Sequence, residues 1–152
     1  MEVHMEWIDS VIIGLIETCS SDDPYDICNF LDIEIVKVPR SSAILAGNES
    51  LYIRNYFNNE VIFISEELLC GEEVFYLRHE LGHAILHPDL LNTGSNTLTN
   101  FGKLELQANY FAYKLSSINF DEVELKNLTI NQIAAKTKIP IMLLKLKMRH
   151  EA

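Results

Sequence analysis

Apolar positions in the first 31 residues recur at helical spacing. Ile8, Val11, Ile12, Leu15 and Ile16 share one face of a helix over 5–18, and Asp22-Asp23-Pro24 reads as a cap with proline opening a second, short helix that runs to about Leu31. The pattern then changes. Ile33 to Val38, Ala43 to Ala46, Leu51 to Arg54 and Val61 to Ile64 are β-rich runs, separated by Pro39-Arg40-Ser41-Ser42, Gly47-Asn48-Glu49 and Asn58-Asn59. They predict three or four strands of a small, mostly antiparallel sheet. From Gly71 to His87 the helical period returns, with Val74, Leu77, Leu81 and Ile85 on one face and Pro88 as the stop. Leu104, Ala108, Phe111, Leu115 and Ile118 predict a further amphipathic helix, and 128–148 reads as two short helices broken near Lys138-Ile139-Pro140. The fifteen residues 88–102, rich in Asn, Thr, Ser and Gly, are long for a connection inside a compact domain, which marks them as mobile or functional.

This order predicts an α+β fold: one domain over 1–126, a small sheet packed on helices, followed by a helical pair over 127–152 packed against it. A chain of 152 residues is long enough for one domain with a real core. The hydrophobic share of 48% and charged share of 22% are those of an ordinary globular protein, so disordered and fibrous classes drop out. The apolar run Val11 to Ile16 is flanked by Asp9 and Glu17 and is too short for a membrane span or a secretory signal. Cys19, Cys28 and Cys70 are odd in number and far apart, which favours a reducing, cytoplasmic setting over a disulfide framework.

The net charge of −10 conceals an asymmetry. Residues 1–125 carry 6 basic and 21 acidic side chains, whereas 126–152 carry 6 basic and 1 acidic. An acidic body repels phosphate, so nucleic acid is a poor partner for the main domain. The basic tail, with its helix-turn-helix look, keeps DNA binding as an alternative.

The candidate chemistry lies in "FYLRHELGHAILHPDLL", residues 75–91. At about 100° per residue, His79 and His83 stand roughly 40° apart on one helix face, and Glu80 falls within the same quadrant. Two imidazoles one turn apart can reach a single zinc ion, and the carboxylate beside the first can take a proton from water. A catalytic zinc site needs a third protein ligand and an open position. Glu105 in "KLELQANYFAYKL" is the best candidate, because Ala108 and Ala112 follow it at i+3 and i+7 and let that helix approach closely. His87 extends the histidine row, but Pro88 follows at once, so it reads as a supporting group rather than a ligand. For the oxyanion, Arg54, Tyr56, Tyr110 and Tyr113 are all available and none is singled out. Substrate is expected to add as an extended strand along a sheet edge facing the site.

Two opening helices, a strand-rich middle, "LRHELGHAILH", "ELQANYFAYKL" and a C-terminal helical pair together resemble the ImmA/IrrE family of metallopeptidases, often encoded by phages and mobile elements. The resemblance covers about Tyr25 to Met148. It implies a zincin-like fold, zinc bound by His79, His83 and Glu105, and Glu80 as the catalytic carboxylate. It further implies an endopeptidase that cleaves transcriptional repressors carrying helix-turn-helix domains and so induces gene expression. Similar proteins often follow Phe-Ala with a leucine-rich segment ending in Met-Pro. This chain has Lys114-Leu115-Ser116-Ser117-Ile118 there, a departure that bears on the rim of the cleft and on substrate choice. A zinc-containing antirepressor that captures a regulator without cutting it is the competing function, and the oligomeric state is not legible.

Overall fold

In a computed structural model, the described residues are 5–93, 101–116 and 127–137. Helix α1 (Glu6–Cys19) and helix α2 (Pro24–Phe30) open the chain. The Asp23 side chain caps α2, accepting from the Tyr25 N–H at 2.8 Å, with Pro24 pre-set at the first helical position. Strand β1 (Ile33–Val38), a single 3-10 turn (Ala43–Leu45), strand β2 (Ser50–Tyr56) and strand β3 (Asn59–Ser65) follow. Helix α3 (Cys70–Leu86) carries the histidines, helix α4 (Phe101–Leu115) carries Glu105, and helix α5 (Ile130–Thr137) lies in the last third.

The sheet order is β1-β3-β2, with β1 parallel and β2 antiparallel to β3. The sheet is therefore mixed rather than mostly antiparallel. The β2–β3 hairpin turns through Phe57 and Asn58, both at positive φ, which is the turn that matches strand twist. The chain reverses direction once between β1 and β2 and again at this hairpin, so β1, lying on the other side of β3, runs parallel to it. Ala43–Leu45 forms a helical turn instead of a strand because Leu45 caps the outer face of the sheet, packing on Leu51, Val61 and Phe63. The opposite face, including Ile33, Tyr52 and Ile62, packs on Ile8, Ile27, Leu77, Leu81, Phe111 and Leu115 from the helices. Covered on both faces, central strand β3 is apolar without alternation, as Val61-Ile62-Phe63-Ile64 requires.

The outer edge of β2 is occupied by the chain itself. Arg54 donates its backbone N–H to the Leu91 carbonyl at 2.8 Å, and the Thr93 N–H donates to the Tyr52 carbonyl at 3.0 Å. Ile53 and Asn92 form an antiparallel bridge between these bonds. Part of the long connection thus serves as a short fourth strand; residues 94–100 of it lie outside the described residues. So do residues 138–152, and with them the second helix expected in the tail, and the expected boundary at 126.

Helix α3 is tied to its neighbours at its first turn. Glu73 takes the Lys37 ammonium at 2.8 Å and accepts the Tyr25 hydroxyl. Burial pushes the Glu73 carboxyl up, but Lys37 and Tyr25 outweigh it and hold it below its ordinary value. The stabilisation is therefore present above the unfolded carboxyl pKa of about 4.3 and disappears as pH falls through the lower folded value. Glu73→Gln will lower the urea midpoint at pH 7, and the gap from wild type will close below about pH 4. A gap that persists in acid would assign the effect to packing rather than charge.

Candidate metal centre

Helices α3 and α4 cross closely because one residue has no side chain. A Cβ placed on Gly82 would lie 3.0 Å from Phe111 Cδ1 and 3.2 Å from its Cβ and Cγ. Phe111 is fully buried and cannot retreat. Ala108 and Ala112, the small stripe read from the sequence, are buried as well. Gly82→Ala gains about 1 kcal/mol of helix propensity but overpacks at a cost of about 1–3 kcal/mol, so the expected net effect is a loss of about 1 kcal/mol. Because α4 must move outward and carries Glu105 with it, any affinity for zinc at the candidate His79–His83–Glu105 site is expected to fall as well, measurable by titration against a chromophoric chelator. An equal or raised melting temperature with unchanged zinc affinity would mean that the crossing is loose.

At this crossing His79, His83 and Glu105 converge, each offering a ligand atom within 4.8 Å of the others. His83 Nε2 lies 2.7 Å from Glu105 Oε1 and 3.2 Å from His79 Nε2, and His79 Nε2 lies 3.1 Å from Glu105 Oε2. Both histidines are buried. Burial alone would raise the Glu105 carboxyl, but its contacts with His79 and His83 hold it well below the usual carboxylate range. Burial likewise opposes charge on His79, yet the Glu105 hydrogen bond and the nearby Glu80 and Glu105 charges raise its pKa overall. The pocket thus favours positive charge at a point ringed by nitrogen and carboxylate donors.

The far ring nitrogens are also engaged. His79 Nδ1 lies 2.8 Å from Asn109 Oδ1, so this nitrogen donates away from the cluster, and Nε2, which meets Glu105 here, is the atom that would turn its lone pair to a bound ion. His83 Nδ1 lies 2.9 Å from His87 Nδ1, and His87 Nε2 lies 2.8 Å from Gln107 Oε1. The amide oxygen accepts a proton from His87 Nε2, and the neutral ring then accepts at Nδ1 from His83 Nδ1–H, so that His83 Nε2, hydrogen-bonded to Glu105 here, is the nitrogen left for a bound ion. Burial keeps His87 below its ordinary pKa, in line with that neutral form. His87 stands behind His83, outside the convergent trio. A borderline-soft divalent ion such as zinc fits this nitrogen and carboxylate set, since both rings are held through Nδ1 and turn Nε2 toward Glu105.

Glu80, one residue along, is 4% exposed and points elsewhere than Glu105. Its Oε2 accepts from the Ser50 hydroxyl at 2.7 Å and its Oε1 from the Thr93 hydroxyl at 2.8 Å. Arg54 is committed to the end of α3: it donates to the Ala84, His87 and Leu90 carbonyls at 3.2, 3.0 and 3.2 Å, replacing the partners a helix end lacks. Tyr110 donates to Asp9 at 3.0 Å, on the α1 side, and Tyr56 packs edge-on to Phe57 and Phe63. Of the four oxyanion candidates, these three therefore have structural work.

Asn109, Gln107, Ser50 and Thr93 were not legible as parts of this site. Asn109 left a faint signal, standing one turn after Glu105 on a helix face that is otherwise apolar. The other three left none.

The chain is 29% identical over 145 residues to "uncharacterized immunity region protein 2" of Bacillus phage phi105, an alignment covering 92% of this chain and 88% of that protein. No solved structure matches. Among the described residues no helix is long and apolar enough to cross a membrane. The model of the IrrE N-terminal-like domain, peptidase M78, matches residues 31–148, a span that includes both α3 and α4, and the chain belongs to that family.

Proposed function

We propose that the protein is a zinc-dependent endopeptidase that cuts a regulatory protein, a transcriptional repressor with a helix-turn-helix domain. The observation that carries this reading is the convergence of His79 and His83 from α3 with Glu105 from α4, beside a further buried carboxylate, Glu80, adjacent to His79 in the chain. Three protein donors suit a zinc ion that must keep a position open for reaction.

Bound there, zinc supplies Lewis acidity, polarising a peptide carbonyl and making water a better nucleophile at neutral pH. His79, His83 and Glu105 hold it, and Asn109, His87 and Gln107 keep the two rings in the binding tautomer. Glu80 takes a proton from the attacking water as the new carbon–oxygen bond forms. It then delivers that proton to the amine nitrogen as the carbon–nitrogen bond breaks.

A protein partner suits the charge distribution better than DNA does, since residues 1–125 are strongly acidic. The likeness to an immunity region protein of a phage supports a regulator as the substrate. The test is incubation of the zinc-loaded protein with the helix-turn-helix repressor encoded in the same genetic element, followed by intact-mass spectrometry. Two fragments whose masses sum to the repressor plus one water are expected. A stable complex with intact repressor would replace the peptidase by a capturing antirepressor.

A further inference from the structure

Glu80 is held by two hydroxyls from outside α3, and one of them belongs to the short strand on the sheet edge. Ser50 Oγ, at the start of β2, donates to Oε2, and Thr93 Oγ1 donates to Oε1. Both hydroxyl residues are buried. The Thr93 hydroxyl also accepts the Tyr52 backbone N–H at 2.8 Å, while the Thr93 N–H donates to the Tyr52 carbonyl. Thr93 is therefore gripped by β2 through both backbone and side chain, and the direction of its hydroxyl proton is set toward Glu80. A carboxylate with a donor on each oxygen cannot swing about its last torsion without losing one of them.

We propose that Ser50 and Thr93 are positioning residues for the acid–base carboxylate, and that Glu80 is aligned only while Leu91–Thr93 is paired with β2. This rests on the peptidase reading above. It makes the docked strand part of the working site, with substrate engaging a sheet whose β2 edge stays covered at Tyr52 and Arg54.

The test uses full-length, zinc-loaded protein and a quenched fluorescent peptide selected because wild type cuts it. Thr93→Val keeps the shape and removes both the donor to Glu80 and the acceptor of the Tyr52 N–H, whereas Ser50→Ala removes a donor to Glu80 alone. Each is expected to lower kcat by about ten- to a hundredfold with KM and zinc affinity nearly unchanged, and Thr93→Ser is expected to restore most of kcat. A purely structural role would instead lower zinc affinity in both variants, and Ser50→Ala, which disturbs no backbone hydrogen bond, would leave kcat unchanged.

A second variant addresses the docked strand. Ile53 and Asn92 form a directly opposed pair between backbone hydrogen bonds, a position where Cα atoms lie about 4.5 Å apart and a disulfide fits. Ile53→Cys/Asn92→Cys, built with Cys70→Ser, should cut the peptide equally well oxidised and reduced. Loss of cleavage on oxidation, reversed by reductant, would overturn the proposal, because the strand would then have to leave. If wild type cuts no peptide, the peptidase reading fails, and the positioning proposal is still decided by crystal structures. The Glu80 carboxylate must rotate away in zinc-loaded Thr93→Val and return in Thr93→Ser, and an unmoved carboxylate would refute it.

Discussion

Glu80→Gln will leave zinc bound and reduce peptide cleavage by about 10²- to 10⁴-fold, the usual contribution of a positioned acid–base group. Glutamine has nearly the same shape and keeps one carbonyl oxygen to accept from Ser50 or Thr93, so the buried pocket is not emptied. It cannot take up a proton from water. The three candidate metal ligands are untouched, since Glu80 is not among the trio that converges at the helix crossing. The check is paired: elemental analysis for zinc and steady-state cleavage on the same preparation. Undiminished cleavage would remove the acid–base assignment, and simultaneous loss of zinc would show that Glu80 holds the pocket together instead.

For Glu105→Ala the expected loss is of the metal itself. Side chains that merely orient a ligating histidine are worth about 10–100-fold in affinity, so deleting one of three direct donors should cost more than about 100-fold. The missing group is also the only carboxylate of the trio, and the pocket would lose the negative charge that both imidazoles face. Zinc at 100 times its dissociation constant stabilises wild type by about 2.7 kcal/mol. For a chain of this size that is a rise in melting temperature of roughly 5–10 °C relative to chelator. The variant at the same zinc concentration should show almost none of that rise. Its chelator-treated form should still unfold cooperatively, because Glu105 remains partly exposed and the core beneath α4 is formed by Phe111 and Leu115. A zinc-dependent rise equal to that of wild type would exclude Glu105 from the ligand set.

Both expectations bear on the same division of labour between the two helices. α3 supplies two imidazoles and the carboxylate proposed for acid–base work, and α4 supplies the closing carboxylate together with Asn109 and Gln107. Gly82 makes that division possible by letting the helices approach. The sheet adds the hydroxyls that hold Glu80, so each layer of the fold contributes to the one pocket.

Local periodicity was enough to place His79, Glu80 and His83 on one helix face, because helical geometry fixes the angle between residues one turn apart whatever surrounds them. The same reasoning marked Glu105, whose helix announced itself by its own apolar spacing. The cap at Asp23-Pro24 and the apolar run of β3 were equally local and equally legible. Tertiary structure alone decided the parallel pairing of β1, the turn at Ala43–Leu45, the capture of Arg54 by the end of α3, and the strand made by Leu91–Thr93. It also decided that Ser50 and Thr93 meet Glu80 across 30 and 13 residues. A hydroxyl or a guanidinium acquires its role from whichever polar group folding brings within about 3 Å, and no spacing along the chain encodes that distance.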